Sequence, residues 1–146
     1  METNLTKILD DNNFSRKKAN ISTTIEMLEY KVGFLLPVDY LEYLANFSGF
    51  EGTIKNTFVK LWDIDQLIAY NEGYEIFKSM PNTFGIGSNG SGGLLAMERE
   101  DSGLISYVLT PFTLLDPCKN EYLASSFTEF IEKLTCEENI LVVSAK

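Results

Sequence analysis

The residue pattern closest to a known reactive site is Gly85-Ile86-Gly87-Ser88-Asn89-Gly90, which has the spacing GxGxxG. In a dinucleotide-binding fold such glycines let a pyrophosphate approach backbone amides at the start of a helix. Here Ser91-Gly92-Gly93 follows, and its glycines would break a helix. We therefore predict a tight connection between two strands, in which Gly85, Gly87, Gly90 and Gly92 have structural roles.

Other constellations that could support catalysis are weak. The chain has no histidine, which excludes Ser-His-Asp and Cys-His triads. Carboxylates cluster at Asp63/Asp65, Glu98/Glu100/Asp101 and Glu137/Glu138, and such pairs can serve glycoside hydrolysis or bind metal ions. Neighbouring acids at turns and helix starts are more often caps or solvated charges. We predict no enzyme, no catalytic residue, no cofactor and no metal site.

The two cysteines, Cys118 and Cys136, are too far apart in sequence for a CxxC pair. With no histidine to complete a zinc site, buried thiols are the expectation.

The charge of the chain limits its partners. Acidic residues outnumber basic ones by 21 to 12, for a net charge of -9. A phosphate backbone would be repelled, so we do not expect nucleic acid as a direct partner. The excess either provides solubility or forms an acidic face complementary to a basic partner. The oligomeric state is open.

Size and hydrophobicity predict one globular domain over residues 1–146, because 146 residues with 45% apolar content can bury a core. The first residues lack the apolar segment of a secretory signal, and no run of eighteen apolar residues occurs. These features predict a cytoplasmic protein that does not enter a membrane.

Capping residues and apolar spacing predict the helices. The predicted helices cover residues 3–10, a segment from the capping box Thr23–Glu26 to Gly33, a segment from Pro37 to Gly49, Gln66–Tyr70 capped by Asp63 or Asp65, and a closing helix after the capping box Ser126–Glu129 with Phe127 on its buried face.

β-branched and aromatic runs predict the strands. They are placed at 57–62, with Trp62 in the core, and near 83–87, 94–99, 104–109 and 112–115, with 140–143 as a further edge strand. Helices first, strands next and a closing helix favour an α+β domain with a mostly antiparallel sheet of five or six strands.

Four blocks in this order resemble the SUKH superfamily, which includes yeast regulators of cell-wall glucan synthesis. They are the helical block from Ile25 to Tyr43-Leu44 with Ser48-Gly49-Phe50-Glu51-Gly52, then Leu61-Trp62, then the glycine run 84–93, and then Leu123 to Ile131. The resemblance covers about residues 20–134 and leaves 135–146 as a tail. Gly93 and Ser125 stand where relatives often have aspartate.

The resemblance implies a non-catalytic α+β domain that binds another protein and has its helices packed on one side of the mostly antiparallel sheet. In bacteria such proteins often act as immunity proteins that block a cognate toxin, commonly a nuclease, and the acidic charge suits a basic toxin domain. The alternative is a regulatory scaffold related to the glucan synthesis regulators. Because interfaces that follow a changing partner are expected on loops, we predict partner contacts at Asp63, Asp65, Asn89, Ser91 and Glu98.

Overall fold

An antiparallel sheet with helices packed against it forms the body of the protein. The computed structural model describes residues 4–16, 23–136 and 139–142. Within these ranges the helices are α1 (Asn4–Asp11), α2 (Ile25–Val32), α3 (Val38–Asn46), α4 (Ile64–Gly73), α5 (Ile76–Ser79) and α6 (Phe127–Leu134). The strands are β1 (Phe50–Ile54), β2 (Thr57–Leu61), β3 (Thr83–Ser88), β4 (Gly93–Arg99), β5 (Ile105–Pro111) and β6 (Glu121–Ala124), with a 3₁₀ turn at Pro117–Lys119.

The sheet is a meander in which every strand pairs with its neighbours in the chain. The spatial order is β1-β2-β3-β4-β5-β6 and all five pairings are antiparallel. Antiparallel neighbours can be joined by short turns, as β1 and β2, β3 and β4, and β4 and β5 are here, whereas α4 and α5 lie between β2 and β3. This arrangement confirms the predicted α+β class and the predicted number of strands.

Aromatic rings fill the space between the sheet and the helices. Phe127 of α6 is fully buried, and its ring centroid lies 5.2, 5.0 and 6.1 Å from those of Tyr40, Tyr43 and Tyr107. Such offset and edge contacts add to the stabilisation from area burial. Asp39 fixes α3 to α6, because its Oδ2 accepts hydrogen bonds from Thr128 N at 2.8 Å and Thr128 Oγ1 at 2.9 Å.

The helix starts follow the predicted capping chemistry with two corrections. Ser126 caps α6 as predicted, since its side chain accepts a hydrogen bond from Glu129 N at 3.0 Å. At α2 the cap is Thr24, which accepts from Met27 N at 3.2 Å, and the capping box predicted from Thr23 was wrong by one residue. Pro37 is the N-cap of α3, so the helix begins one residue later than predicted.

Three predicted element boundaries or elements were wrong. Helix α3 ends at Asn46, before Gly49, because Phe47 has extended backbone and pairs with Arg16. Residues 112–115 form a turn and a loop, and the last strand is β6. Residues 140–142 are not a strand, while Val143 lies outside the described residues.

One buried amide joins α4 to the edge of β3 where β2 has ended. The β2–β3 ladder stops at Leu61 opposite Gly87. From there Asn71 of α4 takes the place of a strand, since its Oδ1 accepts from Gly85 N at 2.7 Å and its Nδ2 donates to Gly85 O at 2.9 Å. Nδ2 also donates to Leu67 O at 2.8 Å, and Asn71 is wholly buried. These bonds satisfy backbone groups that would otherwise be buried without partners.

Replacing Asn71 with leucine tests this junction. The Asn71→Leu variant fills a similar space with an apolar side chain but leaves the N–H and C=O of Gly85 unpaired. The free energy of unfolding should therefore fall by about 2–4 kcal/mol. Urea denaturation followed by circular dichroism measures the loss. The control is Asn46→Ala, whose exposed Nδ2 donates to Glu42 O at 2.9 Å and whose removal should change stability by less than about 0.5 kcal/mol. Equal stability of Asn71→Leu and wild type would contradict the assignment.

Candidate functional site

The five predicted contact residues occupy separate parts of the molecule. Asn89 and Ser91 lie in the loop between β3 and β4, whereas Glu98 pairs with Thr83 at the opposite end of the same hairpin. Asp63 is the N-cap of α4 and Asp65 lies in its first turn. The structure therefore brings together Asp63 with Asp65, and Asn89 with Ser91, but it does not join all five in one site.

The glycine run forms the connection between two strands that the sequence predicted. Gly90 and Gly92 have φ angles of 75° and 95°, a region that residues with a Cβ rarely enter. A Cβ on Gly90 would also lie 2.5 Å from Cε2 of Phe58. The run is followed by β4 and not by a helix, so it lacks the helix N-terminus that holds a pyrophosphate in dinucleotide folds.

The side chain of Asn89 stabilises this loop through hydrogen bonds to backbone groups of the protein. Its Oδ1 accepts from Ser91 N at 2.9 Å and Gly93 N at 2.8 Å, and its Nδ2 donates to Leu141 O at 3.0 Å. The side chain is 6% exposed. Its amide is therefore occupied by bonds within the protein, while Ser91 at the tip of the loop is exposed and accessible to a partner.

The other glycines assigned structural roles lie where backbone segments pass close together. A Cβ on Gly87 would collide with the carbonyl of Lys60, and one on Gly49 would lie 2.6 Å from Leu61 O. At Gly85 the nearest atoms belong to Ile76, Leu94 and Trp62. Trp62 is 4% exposed, which confirms its predicted place in the core.

An open cleft of about 310 Å³ lies beside Asp63. The residues that line it are Ser15, Ser48, Gly49, Phe50, Glu51, Lys60, Leu61, Asp63, Gln66 and Tyr70. They come from β1, β2, the first turns of α4 and the segments around residues 15 and 48. Gln66 Oε1 accepts a hydrogen bond from Asp63 N at 3.0 Å, which fixes the backbone at the start of α4. We call this feature the acidic cleft.

The walls of the acidic cleft are polar and carry charged groups of both signs. Lys60 Nζ lies 3.7 Å from Glu51 Oε1, and both side chains are largely exposed, so this ion pair contributes little to stability. Burial raises the pKa of the Tyr43 hydroxyl, and the charge of Asp63 raises it further. The phenol therefore stays neutral, donating to Ser48 O at 3.0 Å. The cleft can contact charged or hydrogen-bonding groups of a partner.

Helices α2 and α4 lie side by side with the same direction. Thr23 N, just before α2, donates to Asp65 Oδ1 at 3.0 Å near the start of α4. At the other end Lys31 Nζ lies 3.1 Å from Glu72 Oε2. Together the two helices carry four carboxylates, on Glu26, Glu29, Asp65 and Glu72, and one ammonium group on Lys31. This pair of helices extends the negative surface away from the acidic cleft.

The sequence reasoning missed Glu51 and Lys60 as parts of the site. Both belong to the β1–β2 hairpin, where Glu51 is directly opposite Lys60. Only the β2 half of that hairpin was predicted, since no strand was assigned to Phe50-Glu51-Gly52, which follows the predicted end of the helix at Gly49. The alternation of exposed and less exposed residues along β1, followed by the polar pair Lys55-Asn56, is the signal that could have found it.

The cysteines and the remaining carboxylates form no reactive site in the described residues. Cys118 and Cys136 are both exposed, so the prediction of buried thiols was wrong. Cys118 lies in the 3₁₀ turn and Cys136 follows the last turn of α6, both at the surface. No group of acids, cysteines or histidines is placed to hold a metal ion within residues 4–16, 23–136 and 139–142, and the pair Glu137/Glu138 lies outside them.

A search for membrane-crossing segments in the described part of the chain finds no helix of sufficient length and apolarity.

Comparison with protein families gives one informative result. A family model described as SMI1 / KNR4 family (SUKH-1) matches residues 22–133. The matched range runs from just before α2 into α6 and includes the whole sheet. Comparison with curated proteins gives no match.

The stabilisation of the glycine run by Asn89 can be tested by substitution. The Asn89→Ala variant loses the bonds to Ser91 N, Gly93 N and Leu141 O, so stability should fall by about 1–3 kcal/mol. Hydrogen exchange of the Ser91 and Gly93 amides should become faster, as measured by NMR. The control Ser91→Ala removes an exposed hydroxyl from the same loop and should leave both quantities unchanged. Unaltered amide exchange in Asn89→Ala would refute the role given to this side chain.

Proposed function

The chain belongs to the SMI1/KNR4 family (SUKH-1), and we propose from this premise that it is a non-catalytic immunity protein. In this role it binds a cognate toxin domain with a basic surface, often a nuclease, and blocks its activity. Members of the family are generally non-enzymatic, and the polar walls of the acidic cleft suit contacts with charged groups of a partner. The proposal assigns recognition to the outer surface of the domain.

The observation that carries the proposal is the cluster of acidic groups at one end of α4. Glu51 and Asp63 line the acidic cleft, and Asp65 lies in the first turn of the same helix. Glu51 is 64% exposed. A partner with a basic cleft would be attracted to this region over several ångströms, which increases the rate of association and disfavours acidic proteins. Among the residues that the structure describes, Lys60 is the one cationic residue in the wall of the cleft.

A regulatory scaffold is the second function that family membership accommodates. A scaffold would bind several proteins weakly, whereas an immunity protein binds one toxin tightly. The local concentration of carboxylates around the acidic cleft favours a single basic partner. A fixed arrangement of negative charges is complementary to one arrangement of positive charges and disfavours proteins that lack it. The two functions therefore differ in the number and strength of the complexes that the protein forms.

Growth rescue is the direct test of the immunity proposal. The chain is co-expressed with the toxic domain encoded beside it, and wild-type protein should restore growth and form a one-to-one complex. If no neighbouring toxic domain is neutralised, the proposal is wrong. Weak binding to several unrelated proteins would instead support the scaffold.

Charge reversal then tests the acidic cleft. The double variant Glu51→Lys with Asp65→Lys should lower the association rate with the toxic domain by about tenfold or more at low salt, measured by stopped-flow fluorescence. Its matched control is Glu100→Lys with Asp101→Lys, which makes the same change in net charge in the exposed turn between β4 and β5. Equal rates for the two double variants would show that only total charge matters, and would remove the acidic cleft from the interface.

A further inference from the structure

We propose that the corner between α2 and α3 is the apolar anchor by which this protein holds its basic partner. The corner consists of Met27, Tyr30, Leu35 and Val38. Its occupant would be a protein surface with an apolar side chain at the centre and basic residues around it. This inference rests on the proposed function, and it names the part of the surface that supplies binding energy.

The side chains of this corner are unusually exposed for their size. Tyr30 is 86% exposed, Leu35 79%, Val38 82% and Met27 46%. Single exposed apolar residues are normal on a protein surface, but here four of them follow one another along α2, the link after it and the start of α3, and a concentration of exposed apolar side chains is typical of a binding surface. Removing such side chains from water would provide a large part of the free energy of binding.

The four residues come from α2, from the link that follows it and from the first residue of α3. Met27 and Tyr30 are three residues apart in α2 and so share a face of that helix. Gly33 ends α2 in the left-handed conformation, and Glu29 Oε2 accepts a hydrogen bond from Leu36 N at 2.8 Å. The link between the helices is thereby folded back against α2. Leu36 points into the core and is 4% exposed, while its neighbour Leu35 faces outward.

Contacts with the core and with α6 hold α2 and α3 in place at the corner. Leu28 is fully buried beneath α2, and Asp39 ties the first turn of α3 to α6 through its two bonds to Thr128. A surface that is already in its bound shape loses little conformational entropy on binding. Tyrosine is also a frequent anchor in interfaces, because it offers a large area with few rotatable bonds.

Charges around the corner select a basic partner. Glu26 is exposed on α2, and Asp65 and Glu72 are exposed on the adjacent α4, while the ammonium group of Lys31 is paired with Glu72 at 3.1 Å. A second copy of this chain would bring the same carboxylates face to face, and each copy has a net charge of -9. Like charges oppose such a dimer, whereas lysine and arginine side chains on a different protein would be attracted.

The two parts of the surface would then affect different rate constants. Exposed carboxylates act at a distance and mainly change how fast the partners meet. Apolar anchors act after contact and mainly change how slowly the partners separate. Substitutions at the corner should therefore be recognisable by their effect on dissociation and by their weak dependence on salt.

The decisive experiment removes the anchor and measures binding kinetics with the toxic domain from the growth-rescue assay. The double variant Tyr30→Ala with Leu35→Ala should weaken affinity by about thirtyfold or more, chiefly through faster dissociation. The matched control is Tyr122→Ala with Leu104→Ala, a tyrosine and a leucine that are 60% and 67% exposed elsewhere on the surface. Both variants should unfold at the same urea concentration as wild type, since no core residue is changed.

Each result has a defined meaning. A selective loss of affinity in the corner variant supports the proposal. Equal affinities of corner variant, control variant and wild type would overturn it while leaving the immunity function intact. Failure of the wild-type protein to bind any toxic domain would overturn both. If sedimentation shows a wild-type dimer that the corner variant abolishes, the occupant is a second copy and the proposed basic partner is wrong.

Discussion

The position of α4 depends on the way in which the side-chain amide of Asn71 replaces a missing strand. Where β2 turns away, the backbone of β3 at Gly85 would be left with an unpaired donor and acceptor in the interior. An asparagine has one donor group and one acceptor group at the right separation to pair with both. Meeting that requirement sets the distance of α4 from the sheet, and with it the positions of Asp63 and Tyr70 at the acidic cleft.

The elements that form the binding surface are held in place by contacts inside the protein. Helix α2 lies along α4 through contacts at both of its ends, from Asp65 to Thr23 and from Glu72 to Lys31. Hydrogen bonds from the backbone to the buried side chain of Asn89 hold the glycine run in place. A partner therefore meets a preformed arrangement of acidic groups and exposed apolar side chains, and such preorganisation reduces the entropy lost in forming a complex.

Local chemistry in the sequence predicted the parts of this fold that depend on neighbouring residues. The cap at Ser126, the buried face around Phe127 and the turn formed by the glycine run all result from interactions over a few residues. The position of α4 on the sheet could not be predicted in this way, since Asn71 within a helical pattern looks like any polar residue on a solvated face. Its partner Gly85 is fourteen residues away.

Strands β1 and β6 were missed for a related reason: each is short, lies at an edge of the sheet and contains both polar and apolar residues. Of the site, the carboxylates of α4 were found because acids near a helix start are visible in sequence. The exposed corner at Tyr30 was not, because a tyrosine and a leucine in a helical region are normally assigned to the core.

The meander order of the sheet has a consequence for how such a domain can change over evolution. Because every strand pairs with its chain neighbours, each connection is a separate segment of the chain, a loop in most cases and the helices α4 and α5 between β2 and β3. Lengthening or shortening one turn leaves the register of the other pairings in place, since no other strand passes through it. A lineage can therefore remodel its recognition surface one loop at a time, by insertion or deletion, while the folded frame is inherited unaltered.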